Sequence, residues 1–486
     1  MRICPLSRTR KYYKRNVVNR MNIDENTLKR IVEQAIKDNN RQIYAGSGKN
    51  GVFDSMDEAI LASEKAQAEY QYCKITDRER FVQVIKNTVT ETVNLKTMSL
   101  MAIEETGMGN YEHKLLKNRV AAEKSPGTED LLTEAKSGDD GLMLVEYCPF
   151  GVIGAITPTT NPSETIICNS IGMLAGGNTV VFSPHPKAKK LSAWLVEILN
   201  KNLIESGAPV NLITTIREPS IESTNDMIKH PAISMLVATG GPAIVNLVMS
   251  SGKKAIGAGA GNPPVVVDET SDIKKAALDI LNGCSFDNNI PCIAEKEVVA
   301  VDCIADELIR YMTENGAYIL KDSAKIQSLW NLVSNDKGGP NVDYVGKSAE
   351  YIMEKAGLPA FKNARVIIME TDGDNPFVRE EMMMPILPIV RAKDVDAAIE
   401  MARIFENGNR HTAIMHSKNI EKLTKMAKEL QTTIFVKNAP SYAGLGVGGE
   451  GCTSFTIAGP TGEGLTTTRS FCRKRRCVMS DAMHIR

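Results

Sequence analysis

Gly151-Val152-Ile153-Gly154-Ala155-Ile156-Thr157-Pro158-Thr159-Thr160-Asn161-Pro162 is the stretch from which the fold can be read. Val152–Thr157 is a short, nearly polar-free run that reads as a buried strand. Pro158 stops it. Asn161 then stands where an N-cap is needed and Pro162 at the first position of a helix, Pro162–Leu174. The same beat repeats downstream. Strand-like Thr179–Ser183, Val210–Ile216 and Ile233–Thr239 alternate with helical Lys187–Glu205 and Ile221–Lys229. Strands alternating with helices of this length imply an α/β fold with a doubly wound parallel sheet. Such sheets take their ligands outside the carboxyl ends of the strands.

Three of those ends are chemically suggestive. Thr157-Pro158 leads to Asn161, Ser183-Pro184-His185-Pro186 follows the second strand, and Thr239-Gly240-Gly241-Pro242 opens a helix over Ala243–Met249. Glycines at a helix N-terminus let a pyrophosphate approach free N–H groups and the positive end of the dipole. There is no GxGxxG fingerprint, so two readings stay open, a nucleotide site and a set of tight turns.

A second alternating block runs from Pro264 to Val436. Its strands are Val265–Asp268, Lys296–Val301, Arg365–Met369, Ile386–Val390, Thr412–His416 and Thr433–Val436, with helices such as Asp394–Phe405 and Ile420–Leu430 between them. Within it, an amphipathic run ends near Gly283, and the polar loop Phe286–Pro291 presents Cys292 directly after a proline. Pro291 fixes its own φ and biases Ile290 away from helix. A restrained turn displaying one sulfur suits a covalent thiol catalyst; it is equally what a small core cysteine in a tight turn looks like. Cys284, at the helix end, reads as core.

Charge is balanced, 58 basic against 58 acidic side chains, which argues against a general affinity for nucleic acid or membrane. No apolar run approaches the roughly 18 residues that cross a bilayer. The ten cysteines are scattered without a CxxC pair, so neither a metal site nor a disulfide framework is expected, and a reducing compartment is. Residues 1–20 are basic and lack an apolar core, which reads as a disordered extension and not a secretory signal. Leu28, Ile31, Val32, Ala35 and Ile36 form one apolar stripe on a short helix within residues 21–40, tethered by the Gly-rich linker 45–51. Alone it cannot bury that stripe, so it docks on the main body or in a partner's groove. Ser55-Met56-Asp57-Glu58 opens a helical region in the capping-box manner. Residues 125–147 read as a hairpin or arm, residues 444–464 as a Gly-rich loop, and the basic tail after Thr466 as a solvated edge or subunit contact.

Six motifs in order then resemble the aldehyde dehydrogenase superfamily over about residues 50–480, and within it the CoA-acylating branch of propanal and acetaldehyde dehydrogenases found in bacterial microcompartments. They are Glu105–Gly109, Pro149–Gly154, Ile156–Pro162, Gly257–Pro264, Asp287–Lys296 and Glu380–Pro385. The resemblance implies two doubly wound α/β domains plus a β-arm: NAD-binding residues 51–124 and 148–254, catalytic residues 255–445, and an oligomerisation arm and tail at 125–147 and 446–486. It implies Cys292 as nucleophile and Asn161 as the amide that steadies the oxyanion. Thr157, Pro158, Thr239, Gly240 and Gly241 fall on the dinucleotide side, Ser183, Pro184 and His185 on the adenosine side, and Glu381 matches the carboxylate that holds the nicotinamide ribose.

Two departures from the hydrolytic relatives are informative. Ala258 stands where they carry a water-activating glutamate, and Ser183–His185 replace a lysine that grips the adenine ribose. Losing the glutamate disfavours water as acceptor more than a thiol, which with a pKa of roughly 8.5 is already partly ionised near neutrality. With the lysine replaced, the choice between NAD and NADP stays open on the residues; the resemblance implies NAD as cofactor, CoA as co-substrate and a short-chain aldehyde, propanal before acetaldehyde, as substrate. The resemblance also implies a homo-oligomer in a microcompartment lumen, with residues 21–40 docking to shell proteins. His411 is a conceivable base, though a lone histidine at a strand start is more often structural. The rival readings are a hydrolytic dehydrogenase, an acyl-phosphate reductase and a catalytically silent scaffold.

Overall fold

The computed structural model describes residue 48 and residues 50–485. The basic start, the amphipathic helix and most of the linker lie outside the described residues.

The chain enters through a two-residue strand, β1 (Val52–Phe53), and Ser55 caps the next helix by accepting from Glu58 N–H at 3.2 Å. Four helices follow: Met56–Tyr70, Ile75–Thr90, Thr92–Thr106 and Tyr111–Lys124. The hairpin β2 (Glu134–Gly138) and β3 (Gly141–Pro149) turns through Asp139-Asp140. Then come β4 (Val152–Thr157), β5 (Thr179–Pro184), β6 (Ile213–Ile216), β7 (Ile233–Thr239) and β8 (Lys254–Ala258). These form one parallel sheet in the order β1-β6-β5-β4-β7-β8. β4 is buried along its whole length, as its lack of polar side chains requires.

The second sheet, also parallel, contains β9 (Pro264–Val267), β10 (Glu297–Val301), β11 (Ala317–Ile319), β12 (Val366–Glu370), β13 (Ile386–Ala392), β14 (Thr412–His416) and β15 (Ile434–Lys437) in the order β11-β12-β13-β10-β9-β14-β15. Two short strands, β16 (Ile457–Ala458) and β17 (Gly464–Leu465), pair with each other, and β18 (Cys472–Ser480) adds to β3, so that an antiparallel β18-β3-β2 sheet stands apart from the parallel ones. Between them, Phe455, Ile457, Ala458 and Phe471 are buried in the main core. Of the chain after residue 446, β18 therefore belongs to the arm sheet and the segment before it to the body.

Two differences from the sequence reading have local causes. The strand read from Val210 begins at Ile213, because Asn211 takes a left-handed conformation with φ 66° and makes a turn. β8 has no counterpart in the sequence reading, which passes from the helix ending at Met249 to the motif Gly257–Pro264, because Lys254-Ala255-Ile256-Gly257-Ala258 lacks the β-branched alternation that marks a strand. It is held by five paired positions on β7.

Candidate active site

From β4 the chain moves to β5 and β6 on one side and returns as β7 on the other, so the loops leaving β4 and β7 diverge and open a crevice. That crevice is a cleft of about 800 Å³. All the site residues singled out in the sequence line it: Thr157, Pro158 and Asn161 after β4, Ser183, Pro184 and His185 at β5, Thr239, Gly240 and Gly241 at β7, and Cys292 and Glu381 opposite.

The wall of strand ends carries little charge. Ser183 Oγ meets Thr224 Oγ1 at 2.8 Å, and His185 Nδ1 accepts from Lys187 N–H at 3.1 Å, its pKa pushed below the ordinary imidazole value by partial desolvation and by the Lys187 charge. Gly241 caps the helix Pro242–Met249, and a Cβ there would meet nothing within 4 Å. The first-turn N–H groups of that helix have no intrahelical acceptor. This wall fits a dinucleotide: bare backbone for the pyrophosphate and neutral hydroxyls for the sugars.

The opposite wall is a laced loop. Asp287, Asn288 and Asn289 take φ of 49°, 54° and 65°, three left-handed residues in succession, which short polar side chains tolerate best. His113 Nδ1 accepts from Asp287 N–H at 2.9 Å; Asn288 Nδ2 donates to the carbonyls of Gly109 and Gly346 at 3.2 and 2.9 Å; Asn289 Nδ2 donates to those of Cys284 and Glu295, both at 3.0 Å. Lys296 Nζ reaches Asn289 Oδ1 at 2.6 Å.

Cys292 keeps a face open to the cleft, but the packing around it pushes the thiol up to about 12; the Glu381 charge adds to this and Lys296 opposes it. Burial likewise lifts Glu381 to about 7, and its Oε1 has no partner. The Gly261 backbone is pinched between His411 and the loop: a Cβ there would lie 2.8 Å from His411 Cγ and 2.9 Å from the Cys292 carbonyl oxygen. His411 shares a hydrogen bond with Thr412 Oγ1 through Nδ1 at 2.9 Å, while its buried Nε2 is unpartnered. Burial and Lys296 hold its pKa down to about 4. Cys284 is fully buried and its thiol pushed well up, as a core cysteine should be.

Residues 40–456 match the model of the aldehyde dehydrogenase family. The chain belongs to the aldehyde dehydrogenase family. It is 49% identical over 438 residues to a propanal dehydrogenase (CoA-propanoylating) of Citrobacter freundii, covering 90% of this chain and 94% of that one. Among solved structures it is 62% identical, at a TM-score of 0.89, to Rhodopseudomonas palustris propionaldehyde dehydrogenase with bound CoA and an acylated cysteine, over 90% of this chain and 100% of that one. It is 54% identical, at a TM-score of 0.88, to a propionaldehyde dehydrogenase from the Clostridium phytofermentans fucose utilisation bacterial microcompartment, again over 90% and 100%.

Ala258 ends β8, buried, with its carbonyl accepting from Gly240 N–H at 3.1 Å, and Gly259 and Ala260 beyond it line the cleft. Glu380 and Glu381 are the carboxylates among the lining residues.

The sequence reading missed a buried ionic cluster in this aldehyde dehydrogenase. Lys114 and Lys117 are almost wholly buried; Asp287 Oδ2 lies 3.0 Å from Lys114 and 2.6 Å from Lys117, and Glu164 Oε1 3.0 Å from Lys117. The Glu105–Gly109 motif carried an indirect signal. Glu105 accepts from the N–H groups of Lys190 and Leu191, both at 2.8 Å, capping the helix Lys189–Glu205. Gly109, at φ 91°, leaves room for Asp287, whose Oδ1 would lie 2.3 Å from a Cβ. Asparagine and aspartate in three consecutive places (287–289) were the local hint that this loop is left-handed.

Proposed function

We propose that this chain oxidises a short-chain aldehyde, propanal first, with NAD and CoA to give acyl-CoA and NADH through a thioester on Cys292. The observation that carries the reading is one cleft holding Cys292, the Asn161 amide and an uncovered helix N-terminus, with Ala258 where a water-activating carboxylate would be needed. The relatives' activities point the same way.

Cys292 gives its proton to solvent water and attacks the aldehyde carbon as the thiolate, a state that Lys296 favours by opposing the burial of charge. Asn161 Nδ2 and the Cys292 N–H donate to the resulting oxyanion; losing one such donor costs about 100–1000-fold in rate. A bound nicotinamide would supply the hydride acceptor; Thr157, Pro158, Thr239–Gly241 and Glu381 would hold that end of the dinucleotide and Ser183–His185 the adenosine end. Hydride loss leaves a thioester on Cys292. The CoA sulfur attacks that carbonyl, the C–S bond to Cys292 breaks, and acyl-CoA departs. CoA attacks as its thiolate, which a thiol of pKa roughly 8.5 supplies in part near neutrality, its proton having gone to solvent. Ile290, Met383 and Phe455 give the cleft apolar surface suited to a short alkyl chain.

Mixing enzyme, aldehyde and NAD without CoA tests the acceptor. A stoichiometric burst of NADH with little steady turnover is expected; rapid steady release of free acid would instead mark a hydrolase. The microcompartment origin of one close structure supports encapsulation, with residues 21–40 as the docking helix. Fused to a fluorescent protein in a shell-producing cell, they should give puncta; diffuse signal would count against it. The β18-β3-β2 sheet, standing apart from the two parallel sheets, is our candidate for the contact that builds a dimer or tetramer.

A further inference from the structure

We infer that Lys117 is the positioning residue that fixes which way the Asn161 carboxamide points; this rests on the reading of Asn161 as oxyanion donor. Lys117 Nζ donates to Asn161 Oδ1 at 2.5 Å, in a site where Lys117 is 1% exposed and Asn161 6%. An ammonium has only donors and a carboxamide has one oxygen and one NH₂. Turning the amide over would set its NH₂ against the buried ammonium, two donors facing each other, so the oxygen is committed to the lysine. Nδ2 is thereby left on the other end, with Thr160 Oγ1 at 3.3 Å taking one hydrogen and the second free for the cleft.

The lysine is itself held. Asp287 and Glu164 stand in ion-pair contact with it, while its aligned hydrogen bond goes to Asn161. Burial works against its charge, but the two carboxylates more than offset that and keep it an ammonium. Lys114, one turn earlier, donates to the Thr160 carbonyl at 3.1 Å and pairs with the same Asp287. Asp287 belongs to the loop that presents Cys292. One helix, Tyr111–Lys124, thus ties the amide that would receive the oxyanion to the loop that carries the nucleophile. Neither lysine lines the cleft, so the role is one of orientation and not of contact with substrate.

The test is a double-mutant cycle between this lysine and the amide. Lys117→Met alone leaves the carboxylates underpaired and can lose the fold, so Lys117→Met is combined with Glu164→Gln, which keeps the charge balance; Glu164→Gln alone reports the cost of that change. Thermal melting and NAD binding establish that each protein is folded. Asn161→Ala is expected to lower kcat about 100–1000-fold. The paired variant is expected to lower kcat about 10–100-fold beyond Glu164→Gln alone, with the aldehyde KM within about threefold of the parent, since orientation matters to the transition state more than to binding. In the Asn161→Ala background the same pair should cost less than about threefold, because the amide it orients is gone. Unchanged kcat in a folded paired variant would overturn the inference, and so would losses that multiply, which would mark a merely structural lysine. If Asn161→Ala itself were near the parent rate, the oxyanion reading would fail first, and the two failures are told apart by that single variant.

Discussion

On the side of the cleft formed by β4, β5 and β7, the lining is prolines, hydroxyls and bare glycine backbone, and what holds it is the parallel sheet beneath. On the facing side, the Cys292 loop has no regular structure of its own and is pinned by side chains: His113, Asn288, Asn289, Lys296 and, through Asp287, the two buried lysines. The first wall resembles a mould whose shape follows from secondary structure. The second depends on charges that leave water only because each has a partner. The difference predicts two kinds of failure. Breaking the ionic wall should cost stability and chemistry together, whereas altering the strand-end wall should change cofactor affinity and little else.

The largest effect expected within that comparison is from Asp287→Asn. It removes the carboxylate that Lys114 and Lys117 share, and leaving a buried charge unpaired typically costs about 3–5 kcal/mol. Denaturant unfolding should show a loss of that size, with kcat falling as well.

Acid should separate the walls next. Burial holds His411 down to about 4 and His416 to about 3, below the ordinary imidazole value near 6.5. Both histidines are therefore neutral in the fold and take protons more readily when it opens. Their contribution to stability is present above pH ~6.5 and is lost progressively as pH falls through 4 and then 3. Asp287, held down to about 2 by its two lysines against burial, follows the same sign from about pH 4 downward. Buried Glu295 and Glu381, lifted to about 7, act with the opposite sign, so the test is the difference between two proteins: from pH 7 to 4 the parent should lose melting temperature relative to His411→Gln, and a pH-independent difference would contradict the assignment.

A smaller effect isolates electrostatics at the sulfur. Glu381 titrates at about 7 and its charge disfavours the Cys292 thiolate. In Glu381→Gln, alkylation of Cys292 by iodoacetamide at pH 8 should be up to about tenfold faster, a shift of one pKa unit or less. A slower rate would mean that the carboxylate assists ionisation.

The smallest change belongs to the strand-end wall. Ser183→Ala removes one hydroxyl bonded to Thr224, and a neutral hydrogen bond is worth about 0.5–1.5 kcal/mol. Losing that bond should lower the melting temperature by no more than about 2–4 °C, and the loss of a cleft hydroxyl should raise the dinucleotide Kd about two- to tenfold.

The contrast also explains what was legible in the chain. Strand ends follow from periodicity, and Asn161-Pro162, Ser183-Pro184 and Gly240-Gly241 are punctuation that local physics reads directly. Cys292 was visible as a thiol after a proline, though its restraint comes less from Pro291 than from three left-handed residues and partners far away in sequence. Lys114 and Lys117 were not legible at all. On a helix wheel they are polar-face residues, and nothing within a turn of them announces that Asp287 will lie against both. Their burial is a tertiary fact, created when the loop that carries Asp287 packs against their helix. β8 was hidden for a lesser reason, since glycine and alanine carry no strand signal.

The central claim is that one thiol in this cleft carries the acyl group. Cys292→Ala, assayed for NADH formation from propanal plus CoA, should abolish turnover while thermal stability and NAD binding stay at their parent values, and Cys284→Ala should remain active. Retained turnover in the first protein together with loss in the second would contradict the account.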